Sequence, residues 1–125
     1  MIRKRKNIVK QLDTIFSLYI RHKYSKNGLC ECFTCGRQYP IKKIQNGHFM
    51  SRGSYSTRWS EDNCRPQCYG CNVMQQGKQY EFAIKLGKDK ADKMLRLSKQ
   101  IVKFSNDDLL EKIRYYQKKI SNFKL

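Results

Sequence analysis

Acidic residues are scarce in this chain. Ten Asp and Glu face 27 Lys and Arg over 125 residues, for a net charge of +17. The shortage is uneven. Residues 1–60 hold 13 basic and only 2 acidic side chains, against 14 and 8 in residues 61–125. Such a field draws phosphate backbones and makes the association sensitive to salt. Long apolar runs are missing too. No stretch approaches the ~18 residues that a membrane span requires, and no basic amphipathic segment stands alone with a Trp or Leu face, so a membrane partner is not expected. Arg3-Lys4-Arg5-Lys6 has no apolar run behind it, so nothing reads as a signal peptide and a cytoplasmic location is expected. There is no internal repeat and no low-complexity linker. Histidine is limited to His22 and His48, and tryptophan to Trp59.

What the chain does have is cysteine. Cys32-Phe-Thr-Cys35 and Cys68-Tyr-Gly-Cys71 form two Cys-x-x-Cys pairs separated by 32 residues. In a reducing compartment this spacing points to metal rather than disulfides. Two thiolates from each of two knuckles complete a tetrahedral zinc site, so zinc is expected on Cys32, Cys35, Cys68 and Cys71. Cys30 and Cys64 are left over. They are read as small buried residues, with exchange for a neighbouring ligand as the alternative.

The chain length suits one domain, 1–125. Residues 8–23 are expected to be helical, because Ile8, Leu12, Ile15, Phe16, Tyr19 and Ile20 recur at helical spacing until Asn27-Gly28 breaks the pattern. Residues 30–72 are interrupted by Gly and Pro and read as a loop-rich unit with short strands near 37–44 and 47–50. Helix resumes from Asn72, with Tyr80, Ala83, Ile84 and Leu86 on one face and Gly87 as C-cap. It continues through 88–104, and Ser105-Asn106-Asp107-Asp108 opens a last helix. That helix carries a stripe of Leu109, Ile113, Tyr116, Ile120 and Phe123. The stripe serves either the chain's own core or a homodimer seam.

His48 sits in Gly47-His48-Phe49, among small and apolar neighbours that would keep an imidazole neutral and basic. Asn63 follows 15 residues later, and Asn72 comes 9 after that, directly behind Cys71. This His…Asn…Asn order inside a zinc clip resembles the HNH, or ββα-metal, nucleases. The run Asn63-Cys64-Arg65-Pro66-Gln67-Cys68-Tyr69-Gly70-Cys71-Asn72, with Gly47-His48-Phe49, Arg58, Gly77 and Tyr80, is similar to the phage lambda NinG (Rap) recombination proteins.

The resemblance implies an α+β fold. A zinc-stabilised, treble-clef-like HNH core over 30–87 would be flanked by the N-terminal helix 8–23 and C-terminal helices over 88–123. It implies a metal-dependent endonuclease that cuts branched DNA such as Holliday junctions and D-loops in the host bacterial cytoplasm. His48 takes the place of the general base that activates water. Asn63 takes that of a residue that props the base loop or binds metal, and Asn72 that of a ligand to catalytic Mg²⁺ or Mn²⁺. Arg52 and Arg58 are candidate DNA phosphate contacts. Two departures stand out. Gly47 lies where many relatives have Asp or His, and Asn72 lies where the last His is usual. Glu61 or Asp62 is a candidate for the missing charge. The alternatives are a zinc-containing DNA-binding module without cleavage, and an HNH endonuclease that reads sequence. Two cuts on opposing strands make a homodimer the expected working unit.

Overall fold

The computed structural model describes residues 3–123. The first helix, α1 (Arg5–Lys23), buries Ile8, Leu12, Phe16, Tyr19 and Ile20 on one face. It begins three residues before the periodic stripe, since Lys4 supplies extended backbone without a side-chain cap. Arg21 and Lys23 occupy its last turn, where positive charge is favourable at the negative end of the helix dipole.

Asn27 and Gly28 both take left-handed backbone (φ 55° and 78°). That pair of conformations turns β1 (Ser25–Lys26) tightly into β2 (Leu29–Glu31). β3 (Gln38–Pro40) pairs antiparallel with β2, completing a three-stranded sheet. A second sheet is made by β4 (Gln45–His48) and β5 (Cys64–Gln67), antiparallel with His48 opposite Cys64. Between those strands lie α2 (Tyr55–Arg58) and a single 3₁₀ turn, Glu61–Asn63.

A π-turn, Gly70–Met74, carries Cys71 and Asn72. α3 (Gln79–Leu86), α4 (Lys88–Ser98) and α5 (Asn106–Ser121) follow. The expected helix from Asn72 is therefore a π-turn. Gln76, Gly77 and Lys78 all have positive φ, which stops regular helix until Gln79. Gly87 (φ 94°) ends α3 as expected. The Ser105–Asp108 capping box opens α5 as expected, with both reciprocal bonds made. Helix does not run through 88–104, since α4 stops at Ser98 and Ile101 is 91 % exposed. β1 and β2 are two and three residues long, too short for alternation to reveal them, and β5 is buried at all four positions.

Three apolar clusters hold the elements together. The largest joins α1 to α5 through Ile8, Leu12, Phe16, Ile20, Leu109 and Ile113, with Trp59 and Cys64 closing it. Tyr116 packs edge-on to Phe16 at 4.9 Å between ring centroids. The α5 stripe packs on the chain's own α1 through Leu109, Ile113 and Tyr116, with Ile120 and Phe123 partly buried beside them. The second cluster consists of Cys30, Cys32, Cys68, Cys71 and Ile44, with Tyr39 against them. The third packs α3 and α4 through Phe82, Leu86, Ala91 and Met94 onto Phe49. Here the expected α3 face is corrected: Phe82 and Leu86 are the buried anchors, one turn apart, while Tyr80 and Ile84 are exposed. No helix among the described residues is long and apolar enough to cross a membrane.

Candidate active site and metal centre

The Cys32 knuckle follows β2 directly. The Gly36 amide donates to the Cys32 carbonyl (2.9 Å), and Gly36 takes φ 79°, closing a tight turn that points Cys32 and Cys35 the same way. The second knuckle follows β5, with Cys71 on the π-turn. The sulfurs of Cys32, Cys35, Cys68 and Cys71 lie within 4.8 Å of one another. Zinc–sulfur bonds of ~2.3 Å place tetrahedral sulfurs ~3.8 Å apart, and Cys35 and Cys68 are 3.9 Å apart. The four residues fit a zinc ion.

The surroundings also suit thiolates. The Cys68 amide donates to Cys32 Sγ (3.3 Å) and the Cys71 amide to Cys68 Sγ (3.4 Å). Burial opposes ionisation of Cys32. The amides of Cys68, Cys35 and Thr34 and the Thr34 hydroxyl outweigh it and bring the thiol down to about 6. Cys30 and Cys64 lie outside this four-sulfur site. Their S–H groups face the carbonyls of Tyr24 and Arg58, and burial pushes both thiols up.

His48 ends β4 and lines a cleft of about 850 Å³. Its Nε2 lies 3.0 Å from the Arg58 carbonyl oxygen, which can only accept, so Nε2 carries the proton and Nδ1 the free lone pair. Burial lowers the imidazole below the ordinary histidine range, with Arg52 and Arg58 acting in the same direction and the Arg58 carbonyl and Asp13 opposing. The ring is therefore neutral near pH 7.

Asn63 is wholly buried. Its Oδ1 accepts from the Met50 amide (2.7 Å), and its Nδ2 donates to the Met50 carbonyl (3.1 Å). The Phe49 amide donates to the Asn63 carbonyl (2.8 Å). Asn63 thus staples the two residues after His48, with both polar atoms of its side chain engaged by Met50. Asn72 lines the cleft. Its Nδ2 donates to Gln45 Oε1 (2.8 Å), which turns the amide and leaves Oδ1 without a protein partner among the described residues. Asn46 also lines the cleft and has a buried, unpartnered Oδ1.

The glycine before His48 has a steric cause. A Cβ on Gly47 would lie 2.0 Å from Gln67 Oε1. Gln67 is fully buried and held by bonds from its Nε2 to Thr34 Oγ1 (3.0 Å) and the Gly77 carbonyl (2.9 Å). Glu61 and Asp62 do not supply the charge absent from position 47. Glu61 accepts from Tyr19 and Lys23, Asp62 pairs with Lys90 and Lys93, and neither lines the cleft.

Arg58, a candidate phosphate contact, is engaged within the protein. Its side chain is only 14 % exposed, and it grips Asp13 through Nε (3.1 Å) and NH2 (2.6 Å). Arg52 also reaches Asp13, but its side chain is 57 % exposed at the cleft. Asp13 accepts as well from Trp59 Nε1 (2.9 Å). Burial raises this carboxyl, but the hydrogen bonds and charges of Arg58 and Arg52 outweigh it and hold it below the usual range. Asp13 was missed in the sequence. Its only signal was being the lone acid on α1, one residue from the buried Leu12. Gln79 was missed too; its Nε2 donates to the His48 carbonyl at 3.4 Å.

A mixed helix-and-strand chain with two small sheets, a four-cysteine centre able to hold zinc and a histidine-lined cleft is thereby defined. The family described as Bacteriophage Lambda NinG protein matches it over residues 1–125, and the chain belongs to that family. No curated protein and no solved structure matches it.

Proposed function

We propose that this chain is a metal-dependent, structure-specific DNA endonuclease of the HNH class, acting on branched recombination intermediates such as Holliday junctions and D-loops. Membership of the NinG family points to phage recombination. The observation that carries the reading is the state of His48: neutral, Nε2–H bound to the Arg58 carbonyl, Nδ1 lone pair free, beside an open cleft. That is the form of imidazole a general base requires.

Asn72 Oδ1 would hold a catalytic divalent ion, and Asn46, whose buried Oδ1 has no partner among the described residues, lines the same cleft. These are hard, neutral oxygens, which suit Mg²⁺ or Mn²⁺ better than zinc. When bound, the ion supplies positive charge at the scissile phosphate and the leaving oxygen. His48 takes the proton from the attacking water. Arg52, exposed at the cleft, contacts a flanking phosphate. Asn63 keeps the backbone after His48 in place. The basic surface holds DNA through phosphates, largely without regard to sequence.

A second reading, a zinc-containing module that binds DNA without cutting it, is favoured by one observation: Asp13, the only carboxylate among the described residues that line the cleft, is already held by two guanidinium groups. Cleavage of a four-way junction and a matched linear duplex, with and without Mn²⁺, separates the two. The nuclease reading expects Mn²⁺-dependent cutting of the junction, and no cutting under any metal would overturn it. Paired cuts on opposing strands call for two copies. Solution mass on a junction tests this, and a single copy per junction ends the homodimer reading.

A further inference from the structure

We infer that Asp13, on the N-terminal helix, is a positioning residue for His48, acting through the peptide bond between Arg58 and Trp59. The side chains on both sides of that peptide hold the same carboxylate. Arg58 Nε and Trp59 Nε1 both donate to Asp13 Oδ1 (3.1 and 2.9 Å), and Arg58 NH2 donates to Oδ2 (2.6 Å). The carbonyl of that peptide is the one His48 Nε2 meets at 3.0 Å. A peptide unit is planar. Fixing the groups on either side of it therefore fixes where its oxygen points, and the oxygen fixes which imidazole nitrogen carries the proton.

The arrangement exceeds an ordinary surface ion pair, which contributes only ~0–1 kcal/mol. Asp13 is 19 % exposed, and three different side chains converge on it across 39 to 46 residues of sequence. Trp59 is itself buried in the α1–α5 cluster. Arg58 NH1 reaches back to the Arg52 carbonyl (3.1 Å), which ties in the loop before α2. The carboxylate thus links helix packing to the orientation of one histidine. Asp13 touches neither water nor phosphate in this role.

The inference rests on His48 being the base, and its first test does not depend on cleavage. In zinc-loaded, full-length protein labelled with ¹⁵N-histidine, His48 is expected to give the Nε2–H tautomer above its titration. His22 supplies the only other imidazole signal. Asp13→Asn is nearly isosteric and removes the charge. It should convert His48 to a tautomer mixture. Junction cleavage should fall ~10- to 100-fold, the scale of a misplaced reacting group. DNA affinity measured in Ca²⁺ should hold or tighten, because a negative charge leaves the cleft. His48 remaining Nε2–H in the variant overturns the proposal, as does DNA affinity falling in step with cleavage. Where Asp13→Asn does not fold, Trp59→Phe removes a single tie, and the same tautomer shift at smaller amplitude is required of it. If the unmodified protein cuts nothing, the nuclease reading fails while the tautomer result still decides the role of Asp13.

Discussion

Around α1 and α5 the chain buries Ile8, Leu12, Phe16, Ile20, Leu109 and Ile113 in a conventional apolar layer. The knuckle region buries three of its four candidate ligands, Cys32, Cys68 and Cys71, with Cys30 and a single isoleucine in its own cluster. Its strands are two to four residues long, too short to hold a register by themselves. One region is held by side-chain area; the other has little of it and instead brings together four thiols able to hold a metal. His48 stands at the junction, on a strand paired to Cys64 and across from Arg58. The site is therefore framed by two kinds of order that respond to different insults.

The sharpest way to break the comparison is to remove metal. Cys68→Ser, or chelation, is expected to abolish zinc binding and unfold residues 30–72, since structural zinc contributes ~10–16 kcal/mol in small sites. The α1–α5 signals in hydrogen exchange should persist. Full zinc content in the variant, read by mass spectrometry, contradicts the ligand assignment. Phe16→Ala attacks the other region. Phe16 is 1 % exposed, so ~3–5 kcal/mol of stability should go while zinc stays bound until global unfolding. Ile113→Glu, at 3 % exposure, should likewise unfold the layer rather than yield a folded monomer.

Smaller effects probe the boundary between the two regions. His48→Ala should leave zinc and folding intact and reduce junction cleavage ~10²-fold or more. Because burial holds His48 below the ordinary ~6.5, the wild-type rate should stay level down to that pH and fall only below it, as the base is protonated. A rate that already falls between pH 8 and 7 excludes His48 as the group responsible. The least disruptive change is Ser105→Ala, which removes one half of the α5 capping box and should cost about 1 kcal/mol in denaturant unfolding with no change in metal content.

Sequence periodicity was enough for α1 and α5, where apolar side chains repeat every three or four residues, and for the Ser105 cap, whose chemistry is local. The cysteine pairs were legible because ligand spacing is itself local. The failures share a cause. β5 is buried at all four positions, so no alternation marks it. The stop before Gln79 depends on three consecutive left-handed residues, two of them not glycine. Phe82 could be assigned to the core only with Phe33 and Phe49 in view, rings brought from distant segments. The ion pair of Arg58 escaped notice because its partner lies 45 residues away on another element. Long-range pairing of charge carries no signature in a basic sequence, and Asp13 went unnoticed for the same reason.

The contact between Gly47 and Gln67 also bears on how this cleft can change over time. With a buried, doubly anchored amide filling the space where a Cβ would stand, no lone codon change can install a carboxylate there without a collision. The two positions form a lock in which the glutamine must shrink before the glycine can grow. Shrinking it first would strand Thr34 and the Gly77 carbonyl without their donor. Drift towards a more acidic centre is therefore gated by an unstable intermediate sequence, and an engineer seeking tighter cation binding would have to replace both residues together.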